Sequence, residues 1–128
     1  MSPRIDAELF EKKLQKKTLA ITLSDGEDLL KSIKDAMKEH GIKECSVQEV
    51  NGKIKSGLIN FFERGNYRTM KLESIPVLRV SGNFKLSFND LWGSMHISTA
   101  EKKPTTGTLV RGTAEEGLEI RLSFVEDK

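Results

Sequence analysis

The chain has 128 residues, a formal net charge of +2, a hydrophobic fraction of 37% and a charged fraction of 31%. This length suits one domain with a single core, and this composition excludes an intrinsically disordered chain. No apolar run is long enough to span a membrane, and the N-terminus lacks the apolar core of a signal peptide. We therefore expect a cytoplasmic protein with no membrane partner, in which residues 1–16 form a polar lead-in to one domain over residues 17–126.

The one concentration of positive charge lies where the lead-in meets the domain. The lysines Lys12, Lys13, Lys16 and Lys17 form this cluster and are the candidate nucleic-acid contacts. Leu14 interrupts the cluster, and Glu11 precedes it. A solvated face is the simpler interpretation, and a weak anion-binding arm is the alternative.

A strand at residues 18–23 is followed by the clearest helix of the chain, over about residues 25–40. Its apolar residues recur at helical spacing, at Leu29, Leu30, Ile33, Ala36 and Met37. Ser24 and Glu27 have the three-residue spacing of a capping box, and Gly41 fits a left-handed C-terminal stop. His40 lies in the last turn, where a histidine interacts favourably with the carbonyl end of the helix.

Strands account for the rest of the chain. They are predicted at residues 44–50, 54–62, 67–72, 77–84, 91–99, 107–113 and 118–125. Asn51 and Gly52 form the strongest short hairpin signal, and Pro76 is expected to begin or bend the strand after it. The pattern predicts an α+β fold: a mostly antiparallel, curled sheet of about seven to eight strands with one principal helix.

Two features of these strands bear on partners. Cys45 is the only cysteine, so no internal disulfide can form, and its strand position predicts a buried, inert thiol. The segment Gly57–Phe62 is apolar on both faces, which is typical of a strand covered on both sides. Because one helix covers only one face, a second copy of the chain is expected on the other.

The strand at residues 91–99 carries the candidate site. Alternation places Trp92, Ser94, His96 and Ser98 on one face, and Leu91, Met95 and Ile97 on the other. A lone histidine on the polar face is a hydrogen-bonded cleft residue, part of a small-molecule pocket, or a metal ligand.

Five segments, in consistent order over residues 18–125, resemble the PPC domain (plants and prokaryotes conserved). Leu23–Leu30 resembles its Leu-x-x-Gly-Glu-Asp-Leu-Leu helix start, Gly41-Ile42 its helix exit, Val77–Asn83 its Ile-Leu-Ser-Leu-Ser-Gly-Asn strand, Gly93–Ser98 its His-x-His-Val-Ser segment, and Thr106–Thr113 its Gly-Gly-His-Leu-x-x-Gly-Thr segment.

The resemblance implies a homotrimer with an antiparallel sheet and one main helix. Plant members accompany AT-hook motifs, which this chain lacks, whereas prokaryotic members stand alone and often carry a DNA-binding label. The fold is similar to that of acetolactate decarboxylase, a zinc enzyme with a three-histidine site. In this chain Ser94 and Thr108 stand where two of those histidines would be, so only His96 remains. Neutral hydroxyls are poor zinc ligands, so we expect no cofactor, with zinc as the disfavoured alternative.

Catalysis has little support from the sequence. Ser94 and His96 share a strand face, but no nucleophile elbow, Walker loop or dinucleotide fingerprint is present. Glu119 is the best acidic candidate, although a strand-face glutamate is more often simply solvated. We interpret the chain as a non-enzymatic, homotrimeric binding and assembly module with DNA or a protein as its partner. The alternative is a degenerate metal-site or small-molecule-binding protein, with His96, Ser94, Thr108 and Glu119 as ligand candidates.

Overall fold

A computed structural model describes residues 14–100 and 104–127, which form one helix and eight strands. The helix α1 is Leu29–His40, and the strands are β1 (Leu14–Thr22), β2 (Glu44–Asn51), β3 (Lys53–Glu63), β4 (Asn66–Pro76), β5 (Arg79–Ser87), β6 (Asp90–Ala100), β7 (Pro104–Ala114) and β8 (Glu119–Asp127). The predicted curled antiparallel sheet with one principal helix is confirmed, but strands predominate over the single short helix, so the fold is mostly β rather than an even α+β mixture. No helix in this part of the chain is long and apolar enough to cross a membrane.

All eight strands belong to one sheet in the order β1-β8-β2-β5-β6-β7-β3-β4. The core lies on one side of the sheet, where α1 buries Leu29, Ile33, Ala36 and Met37. Side chains of β8 alternate between the two sides of the sheet over Ile120 to Leu122, because Ile120 and Leu122 are fully buried whereas Arg121 is exposed. We call the opposite side, which carries Ser94, His96 and Thr108, the helix-free face.

The helix begins later than its sequence predicts. Asp28 is the N-cap: its backbone is extended, and its carboxylate accepts a hydrogen bond of 2.8 Å from the Lys31 N–H. The carboxylate of Glu27 does accept a 2.7 Å hydrogen bond from the Ser24 N–H, which is half of the predicted capping box. This contact closes a turn before the helix, because the extended Asp28 separates the two. The C-terminal stop at Gly41 (φ 66°) is as predicted.

The Asn51–Gly52 hairpin prediction is wrong. Strand β2 pairs with β8 and β5, whereas β3 pairs with β4 and β7, so the two strands are not neighbours. Gly52 has φ 133°, and a Cβ atom there would lie 2.9 Å from the Cα of Leu118. A glycine is therefore required at this position, because the backbone passes close to Leu118 where the chain crosses from one part of the curled sheet to another.

The expectation for Pro76 is also wrong. Pro76 is the last residue of β4, and the next strand begins only at Arg79. Strand β4 lies at the edge of the sheet. A proline is tolerated there because an edge strand has one side without a ladder partner for the missing N–H.

The two-residue turn between β5 and β6 has an unusual composition. Phe88 (φ 52°) and Asn89 (φ 65°) both lie in the left-handed region. Asparagine tolerates this conformation, but an aromatic residue does not. The Phe88 side chain is 97% exposed, so the isolated chain gains no packing from it.

We expect Phe88→Asn to raise the free energy of unfolding by about 1 kcal/mol, because it relieves a left-handed aromatic residue without removing a packed side chain. The neighbouring Asn89→Ala should lower it by a similar amount. Chemical denaturation of both variants tests the pair. An unchanged or lower free energy of unfolding in Phe88→Asn would contradict the assignment of the strain to Phe88.

Candidate functional site

The centre of the helix-free face is a row of polar side chains that crosses five strands. Directly paired positions place Ser81 of β5, His96 of β6, Thr108 of β7, Asn60 of β3 and Thr69 of β4 in line. A second row places Arg79 beside Ser98 and Thr106. Directly opposite residues share a face of the sheet, so these rows form a continuous polar surface.

Hydrogen bonds within the rows satisfy many of these side chains. The imidazole Nδ1 of His96 lies 3.0 Å from the Thr108 hydroxyl, and the hydroxyls of Ser98 and Thr106 lie 2.6 Å apart. Ser94 stands two residues before His96 on the same face, while the intervening Met95 is fully buried on the other. The structure therefore brings His96, Ser94 and Thr108 together. Alternation predicts that Ser94 shares a face with His96, whereas Thr108 is expected there only from the resemblance to the PPC domain.

Glu119 does not join this group. It lies on β8, which is separated from β6 by β2 and β5. Its carboxylate is engaged by the guanidinium Nε of Arg121 at 3.0 Å. Glu119 therefore belongs to an ion pair on another part of the helix-free face.

The residues around His96 do not fit a zinc site. Zinc in proteins takes three or more nitrogen, sulfur or carboxylate ligands. Ser94 and Thr108 offer neutral hydroxyls, and one imidazole nitrogen is already within hydrogen-bond distance of Thr108. Across residues 14–100 and 104–127, no three His, Cys, Asp or Glu side chains come together to hold a metal ion.

The candidate lysines do not form one patch in the described part of the chain. Lys17 is paired with Glu126 at 2.9 Å, on the opposite face of β1 from Lys16. Lys12 and Lys13 lie outside the described residues. The part of the lysine cluster that can be placed is therefore divided between two faces.

Other cations on the helix-free face were not singled out by the sequence. Arg79, Lys85 and Arg111 form no ion pair with another described residue. Arg121, by contrast, is held by Glu119 and lies 4.0 Å from Glu49. The position of Arg111 depends on a register shift in the pairing of β3 with β7, which no alternation pattern reveals.

A cleft of about 1230 Å³ lies elsewhere, between the end of β8, the start of β2 and the β5–β6 hairpin. None of His96, Ser94 and Thr108 lines it. Cys45 is in its wall but only 6% exposed, and burial raises the pKa of this thiol to about 11. The prediction of a buried Cys45 is confirmed, and at neutral pH the thiol stays protonated and is a poor nucleophile.

The family model of the Plants and Prokaryotes Conserved (PCC) domain matches residues 11–122. The chain belongs to this family, which is also abbreviated PPC. A comparison with curated proteins gives no match.

Solved structures show the same fold at low sequence identity. A PPC protein from Pyrococcus horikoshii has 23% identity and a TM-score of 0.72, over 90% of this chain and 83% of its own. A metal-containing protein from Archaeoglobus fulgidus has 20% identity and a TM-score of 0.71, over 88% and 81%. A candidate DNA-binding protein from Bacteroides thetaiotaomicron has 16% identity and a TM-score of 0.68, over 88% and 84%.

The geometry around His96 predicts that two substitutions install a metal site. Ser94→His with Thr108→His should create stoichiometric zinc binding, because the new imidazoles, on β6 and β7, would stand beside His96 on one face of the sheet. Elemental analysis and zinc titration of the purified proteins test this, and adding His96→Ala to the double variant should abolish the gain. Stoichiometric zinc in the unmodified chain, lost in His96→Ala alone, would contradict our interpretation of the hydroxyl set.

Proposed function

We propose that this chain is a non-enzymatic binding and assembly module that forms a homotrimer in the cytoplasm of a prokaryotic cell, with DNA as its candidate partner. Family membership supports the module, and the chemistry around His96 supports the absence of catalysis. The observation that carries assembly is an exposed aromatic pair on the helix-free face.

The aromatic pair stands at the end of the β3–β4 hairpin. Phe62 and Tyr67 are directly opposite in the register, with ring centroids 5.0 Å apart in an edge-to-face arrangement. They are 63% and 82% exposed. Leu58, half-buried on the same face of β3, adds a second apolar side chain and is separated from Phe62 by Asn60 of the polar row. This is the second face of the segment Gly57–Phe62, and a second copy of the chain would remove its aromatic surface from water.

The aromatic pair predicts the effect of two substitutions on assembly. Phe62→Thr with Tyr67→Thr should shift the chain from trimer towards monomer, because it removes apolar contact area while keeping residues that favour strands. Analytical ultracentrifugation measures the shift, and circular dichroism verifies that the sheet remains. Val110→Thr, at an exposed valine of β7, is the matched control. A monomeric unmodified chain at micromolar concentration would refute self-assembly.

DNA is the proposed partner because two comparisons support it. Members of the same fold from Bacteroides thetaiotaomicron and Ralstonia eutropha are named as candidate DNA-binding proteins. On this chain, Arg79 and Arg111 flank the polar rows around His96 and have no acidic partner among the described residues. Free arginines beside hydroxyl and amide groups suit contacts to backbone phosphates.

The DNA proposal is tested by the salt dependence of binding. A phosphate contact contributes a slope of about −0.9 to log K against log salt, so Arg79→Ala with Arg111→Ala should reduce the slope by about 2. Fluorescence anisotropy with a short labelled duplex provides the measurement. Lys34→Ala with Lys38→Ala, on α1, is the control and should leave the slope unchanged. If no duplex binds even at low salt, DNA is not the partner.

A further inference from the structure

Strand β2 changes partners along its length, and the sheet opens beside it. Its first three residues pair with β5, whereas its pairing with β8 begins at Ser46 and continues to Asn51. Ser46 is therefore opposite both Asn83 of β5 and Ser123 of β8. Beyond Ser123, the described pairing of β8 is with β1 alone. The last residues of β8 thus diverge from the start of β2, and the cleft of about 1230 Å³ occupies the opening.

The cleft combines an apolar floor with an aromatic wall. Ile42 and Phe84 in the floor are each 4% exposed, and Phe124 is half-buried. Trp92, which is 60% exposed, borders the cleft from β6. An indole left in water beside a buried apolar surface provides a face on which a flat apolar group can stack.

Positive charge predominates around this apolar surface. Three lysines line the cleft, namely Lys16, Lys43 and Lys85, and none forms an ion pair with another described residue. Two acids also line it, but Glu126 is engaged by Lys17 at 2.9 Å. Glu44, directly opposite Lys85 in the register, is the remaining acid. The cleft can therefore accept a negative charge at its lysines.

We propose that this cleft binds a small organic anion with a flat apolar body, such as an aromatic carboxylate, sulfonate or phosphate ester. The body would lie on the apolar floor against Trp92, and the anionic group would contact Lys43 and Lys85. Small-molecule sites typically occupy roughly 300–1,000 Å³, so the cleft holds one such ligand together with water. The site is separate from His96 and does not depend on the assembly and DNA binding proposed above.

Two fluorescent probes test the proposal on the full chain. Anilinonaphthalene sulfonate has the required apolar body and negative charge, whereas phenylnaphthylamine has the same body without the charge. Trp92 is the only tryptophan, so quenching of its emission reports binding near the cleft. We expect Lys43→Ala with Lys85→Ala to weaken binding of the sulfonate roughly five- to tenfold, and of the neutral probe less than about twofold. Lys38→Ala with Lys71→Ala, at exposed lysines outside the cleft, is the matched control and should change neither probe's affinity.

A second variant pair adds charge instead of removing it. Val125 lines the cleft and is 59% exposed, whereas Val110 is 43% exposed and outside it. Val125→Glu should weaken binding of the sulfonate through like-charge repulsion, and Val110→Glu should not. Both positions are exposed, so neither substitution removes a core side chain.

Three outcomes would overturn the proposal. The first is unchanged affinity for the sulfonate in the Lys43→Ala and Lys85→Ala double variant. The second is an equal loss in the control lysine pair, which would indicate nonspecific attraction. The third is an affinity for the sulfonate that falls at protein concentrations where the sedimentation coefficient rises. A second copy of the chain would then cover the cleft.

Discussion

The burial of one side of the sheet beneath a single helix is the constraint on which the other features depend. Leu29, Ile33 and Met37 of α1 are completely buried against the strands, and each such side chain contributes about 1.5–3 kcal/mol on burial. Because strand side chains alternate, this packing also assigns every other residue to the helix-free face. A slip of one residue in register would exchange the two sets, so burial of the core fixes His96 opposite Thr108.

Serine and threonine hydroxyls around His96 determine the chemical character of the helix-free face. Hydroxyls can donate and accept hydrogen bonds with one another, and they do so between Ser98 and Thr106 and between Thr108 and His96. A face of this kind needs no ion to satisfy its polar groups. In the proposed function, hydrogen bonding by these groups and flanking arginines such as Arg79 would provide the contacts to DNA.

Periodicity in the sequence is sufficient to predict the elements, but not how they pair. All eight strands and the helix lie close to their predicted positions, because alternation and the spacing of Leu29 to Met37 reflect burial directly. The turn at Gly52 is different. Its sequence indicates a local bend, but which strands β2 and β3 pair with depends on distant contacts such as that of Gly52 with Leu118. Alternation alone predicts that Ser94 shares a face with His96, whereas the position of Thr108 beside His96 could be expected only from the resemblance to the PPC domain. The cleft could not be predicted, because it results from β2 dividing its pairing at Ser46.

The proposed assembly contact and the proposed anion site lie on different strands of the one sheet. Phe62 and Tyr67 stand on β3 and β4, at one end of the strand order. The cleft is built mainly from β8, β2 and β5, with β6 and β7 between β5 and β3. An assembly contact through the aromatic pair therefore involves different strands from those that hold the organic anion. The two regions are linked through the paired strands β6 and β7 and through Gly52, where β2 leads into β3. Along the first route, the buried Met95 and Ile97 resist displacement because close-packed cores do not deform continuously.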